Sequence, residues 1–164
     1  MTGTAYSTAG ELPPCWEGYS NGTSTSYMPH VTDGSTYSYS ISGNALTLTS
    51  GSATYGDVKF VRLPQFATPV NTLTMSYWFC TESSTNGTLT VGYMTGPNFT
   101  TDFVPVTSHA ASSASLHSGN GAQPAGTGVY DTVSFENVPD SALYVAFKWV
   151  YTTSYYSCCM TTSR

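Results

Sequence analysis

Residues 70–80, VNTLTMSYWFC, alternate so regularly that they constrain the whole chain. Leu73, Met75, Tyr77 and Phe79 fall on one side, and Thr72, Thr74, Ser76 and Trp78 on the other. A strand sends successive side chains to opposite faces, whereas a helix would scatter this pattern around its axis. Residues 142–151, ALYVAFKWVY, repeat the pattern, with Leu143, Val145, Phe147, Trp149 and Tyr151 opposite Tyr144, Ala146, Lys148 and Val150. Residues 88–94 alternate likewise through Leu89, Val91 and Tyr93. The polar run before them carries Asn86-Gly87, a pair suited to a tight hairpin. Leu73, Met75, Tyr77, Phe79, Leu143, Val145 and Phe147 are therefore expected to face inward.

Shorter strands fit around these at 36–42, 45–49, 58–63, 102–107 and 129–137, separated by Gly, Asn, Pro and Ser clusters. Pro105 marks the 102–107 segment as an edge strand or a bulge. Eight or nine strands with almost no helical periodicity read as an antiparallel sandwich or barrel. Residues 108–128, SHAASSASLHSGNGAQPAGTG, break the rhythm and are expected to form one long loop, too long for a tight connection. At 164 residues the chain is expected to be a single domain, 1–164, and one module of a longer secreted protein.

Composition excludes several function classes. Four Lys+Arg against nine Asp+Glu leave a formal charge of −5, the wrong sign for nucleic acid. There is no apolar run long enough for a membrane helix, so no membrane insertion is expected. The first residues, MTGTAYSTAGELPPCW, lack the basic and apolar regions of a signal peptide. Only 8% of residues are charged, against about 25% in an average soluble domain, while aromatics reach 14% with 13 Tyr. Low charge with abundant Ser, Thr, Tyr and Gly points to an extracellular or cell-surface setting.

Candidate chemistry is sparse. His109 and His117 lie among serines in the 108–128 stretch, but no Gly-x-Ser-x-Gly elbow accompanies them. Glu11 and Glu17 flank Leu12-Pro13-Pro14-Cys15-Trp16 and read as solubilising carboxylates before they read as a glycosidase pair. His30 and Asp33 are close in sequence without third and fourth metal ligands. The expectation is no enzyme, no catalytic residue and no metal. Four cysteines, Cys15, Cys80, Cys158 and Cys159, permit two disulfides or buried free thiols. The aromatic cluster Tyr151, Tyr155 and Tyr156 combines apolar ring faces with hydrogen-bonding tips, which suits a sugar or a protein surface. It is the candidate ligand-binding set, together with the 108–128 loop. The competing reading is that these rings fill sheet faces.

A resemblance rests on an ordered set of motifs: Leu12-Pro13-Pro14-Cys15-Trp16, Ser42-Gly43-Asn44-Ala45-Leu46, Val61-Arg62-Leu63-Pro64-Gln65-Phe66, Asn71 through Trp78, Val91-Gly92-Tyr93-Met94-Thr95 with Pro97-Asn98 and Phe103-Val104-Pro105-Val106, and residues 142–148. In this order they resemble the MAM-like, cleaved-adhesin-type domain of secreted and surface proteins of Bacteroidetes, over about nine-tenths of the chain by the spread of those motifs along it. The resemblance implies an all-β jelly-roll antiparallel β-sandwich of two packed sheets. It further implies a non-catalytic adhesion or carbohydrate-binding module, partnered by a glycan or a host cell-surface protein. The alternatives are a structural spacer presenting neighbouring domains and, less favoured, a hydrolase. Relatives can hold a structural calcium, which needs six to eight oxygens. The acidic pair expected near the C-terminus is missing here and Glu11 alone remains, so no cofactor is carried over. Because first and last strands of such a jelly roll lie side by side, the resemblance implies a disulfide from Cys15 to Cys158 or Cys159, with Cys158 favoured because it matches the family's tail cysteine.

Overall fold

A computed structural model describes residues 9–10, 12–21, 28–32, 45–49, 58–81, 87–111, 129–151 and 157–162. Among them run eleven strands: β1 (Ala9–Gly10), β2 (Glu17–Ser20), β3 (His30–Thr32), β4 (Ala45–Thr49), β5 (Val58–Arg62), β6 (Thr74–Thr81), β7 (Gly87–Met94), β8 (Phe103–Ala110), β9 (Val129–Ser134), β10 (Tyr144–Tyr151) and β11 (Ser157–Thr162). A 3-10 turn, Val70–Thr72, leads into β6. Sheet A has the order β1-β3-β4-β11-β6-β9 and sheet B the order β2-β5-β10-β7-β8, and the strand pairs of both are antiparallel. Of the eight strands from β4 to β11, four form β4-β11-β6-β9 and four form β5-β10-β7-β8, with β7 and β8 consecutive in one sheet; this arrangement is the jelly roll. β1 and β3 extend one sheet, and β2 the other.

The alternation read from the sequence becomes the sandwich interior. Tyr77 and Phe79 of β6, Val145 and Phe147 of β10, and Leu89 and Val91 of β7 are buried in one cluster that spans both sheets. Leu73 and Met75 are half-buried and pack against it, and Leu143 is half-buried. Each fully buried large side chain contributes roughly 1.5–3 kcal/mol relative to exposure. The segment expected at 36–42 lies outside the described residues. The very short β1 and β3 carry too few residues for any periodicity to announce them.

Pro105 fulfils both expectations. β8 is the outer strand of sheet B, and its register with β7 slips between Val91 and Gly92, with Pro105 opposite Gly92. The bulge presses the β8 backbone onto Gly92, where a Cβ would collide with the Val104 carbonyl oxygen and meet Phe103 Cζ at 2.9 Å. Only glycine fits that approach. The expected loop 108–128 begins late, because Ser108, His109 and Ala110 complete β8; residues 112–128 lie outside the described residues.

The disulfide expectation is corrected. Cys15 is an exposed free thiol and Cys158 a fully buried one. The rule about neighbouring first and last strands holds for β4 and β11, which pair through Leu48 and Cys158. Cys15, however, sits in the turn before β2, at the edge of the other sheet. That turn is closed by the Trp16 N–H donating to Pro13 O at 3.0 Å, and Cys15 adopts φ 68°. Burial, reinforced by the nearby Cys80, pushes the Cys158 thiol well above its ordinary pKa.

Candidate functional site

Two neighbouring strands at one edge of sheet A, β6 and β9, present different chemistry on their two faces. Their register pairs Trp78 with Tyr130, Ser76 with Thr132 and Thr74 with Ser134 on the outside. The two rings meet at 5.2 Å between centroids, inclined by 54°. Tyr130 is 50% exposed, the largest exposure among the described large hydrophobic side chains. The next rung closes with a hydroxyl–hydroxyl bond of 2.9 Å between Ser76 and Thr132, and the third rung, Thr74 and Ser134, is exposed. Rungs on one face of an antiparallel ladder are about 7 Å apart, so the three span about 14 Å. These six side chains carry no charge.

The inner face of the same ladder is anchored. Tyr77 and Asp131 are directly opposite each other, and His109 reaches them from β8 of the other sheet. Tyr77 Oη lies 2.6 Å from His109 Nε2 and 3.2 Å from Asp131 Oδ2, and His109 Nε2 lies 3.0 Å from the same oxygen. One proton arrangement satisfies all three groups. The Tyr77 hydroxyl donates to the carboxylate, and Nε2–H of His109 is shared between Tyr77 Oη and Asp131. Phe79 packs on the imidazole at 4.7 Å. This triangle ties the free edges of the two sheets together and holds β6 and β9 in fixed register beneath the outer rings.

Within the triangle, Tyr77 is not placed to act as a nucleophile. Tyr77 is completely buried, and burial first and Asp131 second raise its pKa. A nucleophile needs the reverse, a hydroxyl easily deprotonated and open to substrate. Glu17, half of the considered carboxylate pair, is bound to Arg62 at 2.5 Å, and Glu11 lies outside the described residues. The His30 ring is buried, its Nδ1 is 2.9 Å from the Met28 carbonyl oxygen, and burial lowers its pKa; Asp33 lies outside the described residues. Among the described residues no three His, Cys, Asp or Glu side chains gather as a metal site. No described helix is long and apolar enough to cross a membrane.

The predicted ligand set fares differently. Tyr151 is 2% exposed and faces the core, where its ring stacks on Trp149 at 6.0 Å and 26°. It is corrected from a surface residue to a core residue, because the inward row of Val145, Phe147 and Trp149 continues through it. Tyr155 and Tyr156 lie outside the described residues. Trp78 and Tyr130 are absent from the predicted set, although Trp78 stands on the polar side of the 70–80 alternation, where a large ring has no core to fill.

A scan against protein-family models gives no match, and no curated protein sequence matches. Solved structures do match. The K1 cleaved adhesin domain of Lys-gingipain from Porphyromonas gingivalis W83 superposes with a TM-score of 0.67 at 14% identity, over 92% of this chain and 89% of that one. The K2 cleaved adhesin domain of Lys-gingipain gives 0.62 at 16% identity over 96% and 95%. The K3 domain, from P. gingivalis W83, gives 0.62 at 14% over 92% and 90%. At this identity the likeness speaks for architecture: along nearly its whole length, the chain has the fold of the cleaved adhesin domains.

Proposed function

We propose that this chain is a non-catalytic adhesion module of an extracellular or cell-surface protein, and that it binds neutral glycans on the outer β6–β9 ladder. The observation that carries this reading is the uncharged row of Trp78 and Tyr130 followed by four hydroxyl side chains. Sugars offer apolar C–H faces to aromatic rings and hydroxyls to Ser and Thr. Neither contact requires stripping water from a charge. The adhesin-domain likeness supports a binding role over an enzymatic one. A shallow ladder excludes little water, so affinity per site is weak.

The test is a glycan array followed by calorimetry on the best neutral ligand. Trp78→Ala and Tyr130→Ala should each weaken binding by about tenfold, equal to about 1.4 kcal/mol. Tyr130→Phe should retain most of it, since the ring remains. Melting temperatures of the Tyr variants should barely move, as surface substitutions fall within about 0.5 kcal/mol. An array without neutral ligands, or binding untouched by both Ala variants, overturns the assignment in favour of a spacer that presents neighbouring domains.

A further inference from the structure

The chain contains only two lysines and two arginines, and three of these four cations, Lys59, Arg62 and Lys148, lie on the adjacent strands β5 and β10. Lys59 faces inward, where its Nζ donates to Ser20 Oγ at 2.5 Å. Arg62 and Lys148 face outward from sheet B, on the side of the molecule opposite the β6–β9 ladder. Ala146 lies between Arg62 and Gly92 across the sheet, and these two small residues leave a low floor. Aromatic rings close over it. Phe103 reaches Phe60 at 5.4 Å, edge to face, and Phe99 folds back from the 95–102 loop to stack on Tyr19 at 5.5 Å.

Arg62 is the unusual member. Its side chain is 7% exposed, and the guanidinium carbon sits 4.3 Å from the Tyr144 centroid and 5.4 Å from that of Phe99. Nη2 binds Glu17, while Nη1 is buried with no hydrogen-bond partner. A guanidinium N–H left buried and unbonded is among the costlier arrangements a fold can keep. The nearby Lys148 ammonium lies over Phe60 at 5.6 Å and Phe103 at 5.9 Å.

The covering segment is built as a unit. Asp102 accepts from the Asn98 N–H at 2.8 Å and the Thr101 hydroxyl at 2.9 Å. Asn98 Oδ1 accepts from the Thr100 N–H and hydroxyl at 3.0 and 2.8 Å. The loop is also closed by the Asp102 N–H donating to Asn98 O at 2.9 Å. Its hydrogen bonds are thus internal, and its Phe99 ring covers Arg62 by ring contact alone. Such a loop can lift without breaking its own bonds.

We propose that Arg62 is the anchor of a subsite for the carboxylate of an acidic saccharide, covered by Phe99 as a lid. The carboxylate takes the Nη1 donor, with Lys148 adding attraction from the neighbouring strand, and the rings of Tyr19 and Tyr144 face the sugar's apolar side. The site is independent of the neutral-glycan reading of sheet A, and either can fail alone.

The experiment follows the arginine side-chain Nε–Hε signals of the labelled chain, of which there are two, while sodium glucuronate or glucose is added at constant ionic strength. Arg62→Gln identifies the Arg62 signal by removing it. Glucuronate should shift that signal saturably, and glucose, which lacks the carboxylate, should not. Phe99→Ala should tighten glucuronate binding by about tenfold, as expected if the uncovered state is about one-tenth populated in the parent chain. If glucuronate moves the signal no more than sodium chloride does, in both the parent and Phe99→Ala, there is no anion subsite. If Phe99→Ala leaves affinity unchanged or weaker, the lid is refuted. Should Arg62→Gln fail to fold, the parent and Phe99→Ala titrations decide the matter by themselves.

Discussion

Replacing Tyr77 by Phe isolates what the hydroxyl inside the Tyr77–His109–Asp131 triangle contributes. The ring stays fully buried against Phe79, so no cavity opens and the change is confined to one oxygen. That oxygen donates to a carboxylate, a bond of the kind worth about 1.5–3 kcal/mol. Asp131 is 34% exposed, so water can replace the lost donor in part, which places the expected loss at the lower end, about 1.5–2 kcal/mol. For a domain of this length each kcal/mol moves the melting temperature by about 2–4 °C, giving a drop of about 3–8 °C. Urea melts and calorimetry measure it. The pH dependence supplies a second, independent readout. The folded state raises the Tyr77 pKa, by burial first and then by Asp131. A raised pKa gives stability that is complete below the ordinary tyrosine value of about 10 and is lost as pH climbs beyond it. The Phe variant lacks this alkaline loss, so the gap between the two proteins should narrow above pH of about 10. A variant melting within 1 °C of the parent at neutral pH, or a gap that stays constant into the alkaline range, would refute the account of the triangle.

Three further outcomes follow from the fold. Gly92→Ala should cost at least about 1–3 kcal/mol in urea melts, because the new methyl strikes the Val104 carbonyl at the β8 bulge and backbone must move. Cys15→Gly should raise stability by up to about 1 kcal/mol, since Cys15 holds a left-handed backbone that glycine adopts without strain, and its exposed side chain gives up little. In the native protein, a maleimide should modify Cys15 within minutes and leave Cys158 untouched until the chain is unfolded, as peptide mass mapping would show; rapid native labelling of Cys158 would contradict its place in the core.

The parts of the fold that periodicity can encode were legible. The rows through Tyr77 and Phe79 and through Val145 and Phe147 point inward as the alternation requires. What periodicity cannot encode is which strand lies beside which. The rule about strand neighbours joins Cys15 to Cys158, but it applies to β4 rather than to the turn before β2. Tyr151 shows a different failure. The alternation places it in the row of Val145 and Phe147, and this register outweighs the surface chemistry of its hydroxyl. The Trp78–Tyr130 pair depends on β6 meeting β9 at one particular register across some fifty residues of chain, which no local pattern reveals. Arg62 left a fainter trace: in a chain so poor in cations, Lys59 and Arg62 three residues apart in a strand are too many for a surface and too few for a patch.

The position of β11 sets the order in which this molecule can be finished. It fills the slot between β4 and β6, so Leu48 waits for Cys158, more than a hundred residues further on. Until that strand arrives, β4 and β6 each present a bare edge of unpaired N–H and C=O groups, and the interior lacks Cys158 and Met160. Open edges of that kind recruit other chains. Such long-range closure is also slow. A half-emerged chain is therefore a template for mispairing, and the Thr74, Ser76, Thr132 and Ser134 hydroxyls keep part of its outer face polar.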